Sequence, residues 1–378
     1  MAQGAYIGVG GKARKITGGY IGVNSKARKI IKAYIGVGGV ARPCWSSEEI
    51  SYYGAITSLS VGRSLHAATT VGNYALIGGG MDSSGNYAAK VDAYNNTLTR
   101  SEPYSLSYAR TYLAAATVGD YALFAGGKLN NSDTSSATVD AYDTSLTQAM
   151  LTSLHAARNK LAATKVGNYA LFAGGVDGST YKTAVDAYNS SLTRSTPTAL
   201  SVARSELVAT RVSNYALFAG GYNGSRLSAV DAYNASLTRS TPTALSVARN
   251  GLAATNVSGY ALFGGGYNST SGRTAAVDAY NASLTRYTPT ELSWPRNKLA
   301  ATTAGNYALF AGGLHSSGDS TVDAYNASLT RSTPTELSVA RCDIAAATVG
   351  NYALFAGGST NGGAGGGVNT VDAYVYRE

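Results

Sequence analysis

Three histidines (His66, His155, His315) and two cysteines (Cys44, Cys342) are the imidazoles and thiols the chain offers for metal or thiolate chemistry. A zinc or copper centre draws two or more imidazoles or thiolates to one point. His66 falls on an apolar run and His155 just before an arginine of another unit, so the two share no position and no metal site is expected. No Gly-x-Ser-x-Gly elbow sets up a nucleophile, and no glycine-rich loop opens a helix to hold phosphate. Nor do two carboxylates stand out as the acid and base of a glycosidase. The expectation is a non-enzymatic protein with no catalytic residue, metal or cofactor. What does recur is one arginine (Arg63, Arg110, Arg158, Arg204, Arg249, Arg296, Arg341) and one aspartate (Asp92, Asp140, Asp186, Asp231, Asp278, Asp323, Asp372). Seven copies speak for scaffold: Arg–Asp or Arg–carbonyl contacts that hold the repeated units together.

Those residues sit in a repeated unit. Tyr-Ala-Leu-Phe-Ala-Gly-Gly or a near variant begins at Tyr74, Tyr121, Tyr169, Tyr215, Tyr260, Tyr307 and Tyr352, and Val-Asp-Ala-Tyr follows at Val91, Val139, Val185, Val230, Val277, Val322 and Val371. From Tyr74 to Tyr352 the period averages about 46 residues, which marks a repeat architecture. In the unit from Arg249, apolar runs at 252–257, 260–263, 276–280 and 284–288 are separated by Ser258-Gly259, a glycine-containing loop and Asn281-Ala282-Ser283. Short runs with such punctuation are strands and hairpins, and Asn-Ala-Ser reads as turn chemistry rather than a glycosylation site. The predicted fold is all-β, a seven-bladed β-propeller of four-stranded antiparallel blades. The alanine-rich first strands suit the crowded axis. The last unit lacks a fourth strand, and Leu59-Ser60-Val61-Gly62-Arg63 matches Leu245-Ser246-Val247-Ala248-Arg249, so an N-terminal strand is expected to close the last blade.

The double glycine ending the second strand, the Val-Asp-Ala-Tyr strand and the arginine before each first strand resemble kelch repeats, over roughly residues 50–378. Leu-Thr-Arg stands in most copies where the family carries a fourth-strand tryptophan. The resemblance implies the propeller and no single function.

The turns between first and second strands barely change from unit to unit. The loops after the double glycine do, and so does the pair after each arginine: Ser64-Leu65, Thr111-Tyr112, Asn159-Lys160, Ser205-Glu206, Asn250-Gly251, Asn297-Lys298, Cys342-Asp343. In an up-and-down blade both emerge on one face, around the channel mouth, and loops on a rigid scaffold carry function. The candidate ligand-binding residues there are Tyr87, Tyr112, Lys160, Tyr181, Glu206, Tyr222, Arg226, Tyr267, Arg273 and His315. Tyrosine and arginine anchor interfaces, and tyrosine rings stack on sugars.

Residues 1–43 are expected to form a separate basic β-hairpin repeat segment serving attachment or oligomerisation, with the propeller over 44–378. Ala-Tyr-Ile-Gly-Val or Gly-Tyr-Ile-Gly-Val recurs every 14 residues, from Ala5, Gly19 and Ala33, and Lys-Ala-Arg-Lys-Ile follows two copies. A β-meander of about six short strands is expected, turning at Gly10-Gly11 and Asn24-Ser25. The first 42 residues hold eight bases and no acid, leaving 22 bases against 21 acids in the rest of a chain of net charge +9. The basic character therefore belongs to the front of the chain. Nucleic acid is disfavoured as its partner, since neither a recognition helix nor a stacking platform accompanies it. The repeat resembles those at the ends of phage and prophage structural (tail) proteins of clostridia-like bacteria, which implies attachment to virion or tail proteins through residues 1–42. No apolar stretch long enough for a membrane span and no secretory signal peptide are expected. A clasp disulfide between Cys44 and Cys342 and two free thiols both remain open.

These features favour a phage tail-associated binding protein in the virion, acting extracellularly on a host surface glycan or protein, as a homo-oligomer and as a trimer by analogy with fibres. A bacterial protein-interaction scaffold is the alternative, and a glycan-active enzyme a third reading.

Overall fold

The structure, a computed structural model, describes residues 50–129, 134–362 and 366–377 in full and only the backbone of Glu49 and of six strands between residues 6 and 46. Seven four-stranded antiparallel sheets form the blades of a propeller, and no helix occurs among the described residues.

Blade five shows why the repeat folds as it does. Ala253–Val257 pairs with Tyr260–Gly264, that strand with Val277–Asn281, and the last with the short Arg286–Tyr287. Alternate side chains face opposite neighbours. Ala261, Phe263 and Tyr280 pack against Val212, Leu217 and Ala219 of blade four, whereas Leu262, Val277 and Ala279 meet Phe310 and Tyr325 of blade six. A strand covered on both faces has no polar side, so Tyr-Ala-Leu-Phe reads as one apolar run. Between the third and fourth strands, the Asn281 side-chain oxygen accepts the N–H groups of Ser283 and Thr285 at 3.0 and 2.9 Å. That is turn chemistry, repeated at Asn234 and Asn326.

Backbone links close the circle. The second glycine of each double glycine donates its N–H to the main-chain carbonyl of the arginine opening the next blade, as Gly127 does to Arg158 at 2.9 Å. The seventh link, Gly358 to Arg63 at 2.9 Å, joins the last blade to the first. In the last blade, Glu49–Ile56 lies antiparallel to Val371–Arg377, and Tyr52 donates its hydroxyl to Asp372 at 2.6 Å.

The repeated arginines and aspartates act inside single blades. Arg249 and Asp278 are 0 % exposed with Nη2 and Oδ2 2.9 Å apart, and Arg249 also donates to the carbonyls of Phe263 and Val247. Asp278 accepts the backbone N–H and hydroxyl of Ser246, both at 3.0 Å. Tyr280 donates to the Thr243 carbonyl at 2.7 Å. Together these pin the incoming connection onto the blade's own third strand. The blades are joined to each other by the glycine–carbonyl links, by further hydrogen bonds around the channel and by apolar packing, and the Arg249–Asp278 pair lies within one blade.

In the N-terminal segment, Tyr6–Val9 pairs with Lys12–Lys15, Gly19–Val23 with Lys26–Ile30, and Lys32–Val37 with Val40–Ser46. The six strands make three two-stranded hairpins, with no pairing between hairpins among the described residues. The expected turns at Gly10-Gly11 and Asn24-Ser25 lie outside the described residues. Val40–Ser46 runs across position 43/44, where the propeller was expected to begin. No helix of the described chain is long and apolar enough to cross a membrane.

Candidate functional site: the variable mouth of the channel

The residue pair after each arginine and the residue after each double glycine bridge to one another, as Ser205 does to Tyr222 and Asn250 to Tyr267. The variable loops and the variable pairs therefore share one face. The second member of each pair forms the rim of the channel: Leu65, Tyr112, Lys160, Glu206, Gly251, Lys298 and Asp343. All seven have a left-handed backbone, with φ between 52° and 61°.

A bulky residue there costs about 1–2 kcal/mol. Hydrogen bonds around the rim offset it. Tyr112 N–H donates to the Leu65 carbonyl, Lys160 to Tyr112, Glu206 to Lys160, Lys298 to Gly251, Asp343 to Lys298 and Leu65 to Asp343, at 2.7–3.4 Å. Between Glu206 and Gly251 no such bond occurs among the described residues, and Gly251 leaves a side-chain place empty beside Asn297. Left-handed residues also recur in the outer turns, at Leu98, Leu146, Leu192, Leu237, Leu284 and Leu329. There the residue is leucine every time; at the mouth it changes from blade to blade. The same backbone state is used once for structure and once to display different chemistry.

The rim encloses a cavity of about 420 Å³. Lys160 Nζ lies 2.6 Å from Glu206 Oε1 and 5.2 Å from the centre of the Tyr112 ring. Asn250 donates to the other Glu206 oxygen at 2.5 Å. Burial alone would raise the Glu206 carboxyl, but the Lys160 ammonium holds it below the usual range. Lys298 pairs with Asp343 at 3.2 Å and donates to the Gly362 carbonyl. The mouth thus carries two cation–anion pairs and one aromatic ring.

A second group lies on the loops of blades three to five. The Tyr181 and Tyr222 rings meet edge to face at 6.0 Å, and the Arg226 guanidinium lies 5.5 Å from the Tyr222 centroid and 4.9 Å from that of Tyr267. Bridges from Tyr222 to Arg226 and from Tyr267 to Arg273 hold the loops in place. The Nε atoms of both arginines are buried and without a hydrogen-bond partner. Tyrosine rings with a guanidinium close to two of them present apolar surface and donors together.

Of the ten candidates, Tyr112, Lys160 and Glu206 come together at the rim, and Tyr181, Tyr222, Arg226, Tyr267 and Arg273 on the adjoining loops. Two lie elsewhere on the face: Tyr87 bridges Met81 in blade one, and His315 packs against Trp294 in blade six at 6.4 Å between ring centres. Lys298, Asp343 and Asn250 were not among the candidates. Their signal was position, since Lys298 and Asp343 occupy the slot of Lys160 and Glu206 one or more periods on.

Two further groups near the mouth are structural. Cys342 is a free, buried thiol, pushed up to about 12 by burial and then by the Asp343 charge. The Cys44 side chain lies outside the described residues. His66 stands where blades two to six carry Leu113, Leu161, Leu207, Leu252 and Leu299; its Nε2 bonds the Ala356 carbonyl at 3.0 Å. Burial, then the Arg63 charge, lowers its pKa from 6.5 to about 3. The unfolded chain therefore binds a proton below pH 6.5 that the folded one refuses until about pH 3, and stability falls as the pH drops through this window. At pH 5 the loss from this group is about 2 kcal/mol. Denaturant titrations at pH 7.5 and 5 should show it in the parent and not in His66→Leu; an equal acid loss in both chains would contradict it.

Among the described residues no three His, Cys, Asp or Glu side chains cluster to hold a metal ion. Fold and site together define a class: a seven-bladed β-propeller with a charged, aromatic channel mouth. No protein-family model matches the chain, and comparison with curated proteins finds no match.

Proposed function

We propose that the protein is a non-enzymatic binding module whose variable mouth recognises a surface glycan or protein. The observation that carries this reading is the contrast within the repeat. Seven blades keep the same buried Arg–Asp pair, double glycine and tyrosine, while the rim displays Leu, Tyr, Lys, Glu, Gly, Lys and Asp from one backbone conformation. Rigid scaffold and varied display are what recognition uses. The Tyr181–Tyr222–Arg226–Tyr267 group suits sugar faces and hydroxyls, and Glu206 with Lys298 flanks the gap left by Gly251.

The N-terminal hairpins carry the uncompensated positive charge, and their repeat resembles phage tail segments. On that resemblance the protein is a tail-associated receptor-binding protein of kelch-like build, attached to the particle through residues 1–42. Binding of the full chain to a glycan array and to host cells tests the recognition half. Replacing Tyr222 and Tyr267 by alanine should weaken binding by roughly tenfold or more, with the unfolding midpoint nearly unchanged. Undiminished binding would exclude this face. Sedimentation with tail particles tests the attachment half; a chain that stays in the supernatant removes the virion role.

A further inference from the structure

The opposite mouth of the channel, bounded by the turns between first and second strands, has a different chemistry. The fourth residue of each first strand is Thr70, Thr117, Lys165, Arg211, Asn256, Thr303 and Thr348 in chain order, and all seven line a cavity of about 470 Å³. Where that residue is threonine, it stitches neighbouring blades. Thr303 donates to the Asn256 carbonyl at 2.9 Å, Thr70 to that of Thr348 at 2.8 Å, Thr117 to that of Thr70 and Thr348 to that of Thr303. The third residue of the preceding strand joins in, through Thr69–Thr117 at 2.9 Å, Thr255–Thr303 at 3.0 Å and Thr302–Thr348 at 2.9 Å.

Blades three and four break this pattern. Lys165 and Arg211 replace threonine on adjacent strands, and the hydroxyls one residue earlier, Thr164 and Thr210, have no hydrogen-bond partner among the described residues. No carboxylate lies within ion-pairing reach of Lys165 or Arg211 among the described residues. Burial and the Arg211 charge together hold the Lys165 ammonium below its ordinary range. Two neighbouring cations without a counter-charge, beside two idle hydroxyls in a concave site, form a donor set for an anion.

We propose that this mouth binds a phosphate or sulfate group between Lys165 and Arg211, with Thr164 and Thr210 completing the donor set. The group is either a free oxyanion or one carried on a sugar. The site is separate from the variable mouth and does not depend on what that mouth recognises.

The test is calorimetric titration of the full chain, at fixed ionic strength, with inorganic phosphate, inorganic sulfate and glucose 6-phosphate. The comparison chain is Lys165→Thr/Arg211→Thr, which installs the residue four other blades carry and so keeps the channel folded. The single Lys165→Thr chain is a second check. The eight bases of the first 42 residues attract anions equally in all three chains, so the difference between chains reports on the channel. The expected result is binding by the parent, weakened roughly tenfold by one substitution and further by two. A preference for glucose 6-phosphate over phosphate would place the group on a sugar; equal affinity would mean a free anion. The proposal is overturned if the double variant binds as the parent does, or if the parent takes up none of the three probes at millimolar concentration.

Discussion

Replacing Asp278 by alanine is expected to destabilise the propeller by about 3–5 kcal/mol, the usual penalty for stranding a buried charge. Arg249 is 0 % exposed and 2.9 Å from Asp278, and guanidinium cannot shed its proton to escape. The carbonyls of Phe263 and Val247 satisfy part of it, but they carry no counter-charge. The substitution also removes the acceptor for the Ser246 N–H and hydroxyl, which fixes the entry into blade five. Urea unfolding monitored by fluorescence would measure the loss. The double variant Arg249→Met/Asp278→Leu should be more stable than Asp278→Ala, because no buried charge is left unpaired and Arg286, which also pairs with Asp278, is partly exposed to water. A loss below about 1 kcal/mol in the single variant would show that the pair does not hold the blade.

The second large effect is steric. Gly126 has φ +69°, and a Cβ on it would lie 2.6 Å from the Arg158 carbonyl oxygen and 3.0 Å from Leu161 Cδ2. That carbonyl accepts the Gly127 N–H at 2.9 Å, the link between blades two and three. Gly126→Ala must therefore push two blades apart, at about 2–4 kcal/mol. Gly178 is the control: its φ is +56°, but nothing lies within 4 Å of an added Cβ. Gly178→Ala should cost only the conformational term, about 1 kcal/mol. Equal losses at the two sites would show that backbone conformation, and not the inter-blade contact, requires the double glycine.

The repeat explains how much was legible beforehand. Tyr-Ala-Leu-Phe and Val-Asp-Ala-Tyr state a doubly covered strand each time they recur, and seven recurrences at one spacing specify seven blades. The arginines and aspartates were recognisable as scaffold because every copy has them. Their place was not: Arg249 reaches Asp278 within its own blade, where an inter-unit contact was equally compatible with the spacing. Between residues 6 and 46 the described strands pair as three hairpins, since hairpin turns are local but pairing between hairpins is not.

Hydrophobic alternation and turn chemistry act over a few residues, so the blade, its number of copies and the face on which the chain is free to vary are legible in the order of residues alone. Which varying residues meet depends on how the ring closes. Lys160 and Glu206 are one period apart in the chain and 2.6 Å apart in space; Lys165 and Arg211 are likewise one period apart and share the other mouth. Radial closure brings residues a full repeat apart into contact around the axis, and no local preference of either residue encodes that neighbour.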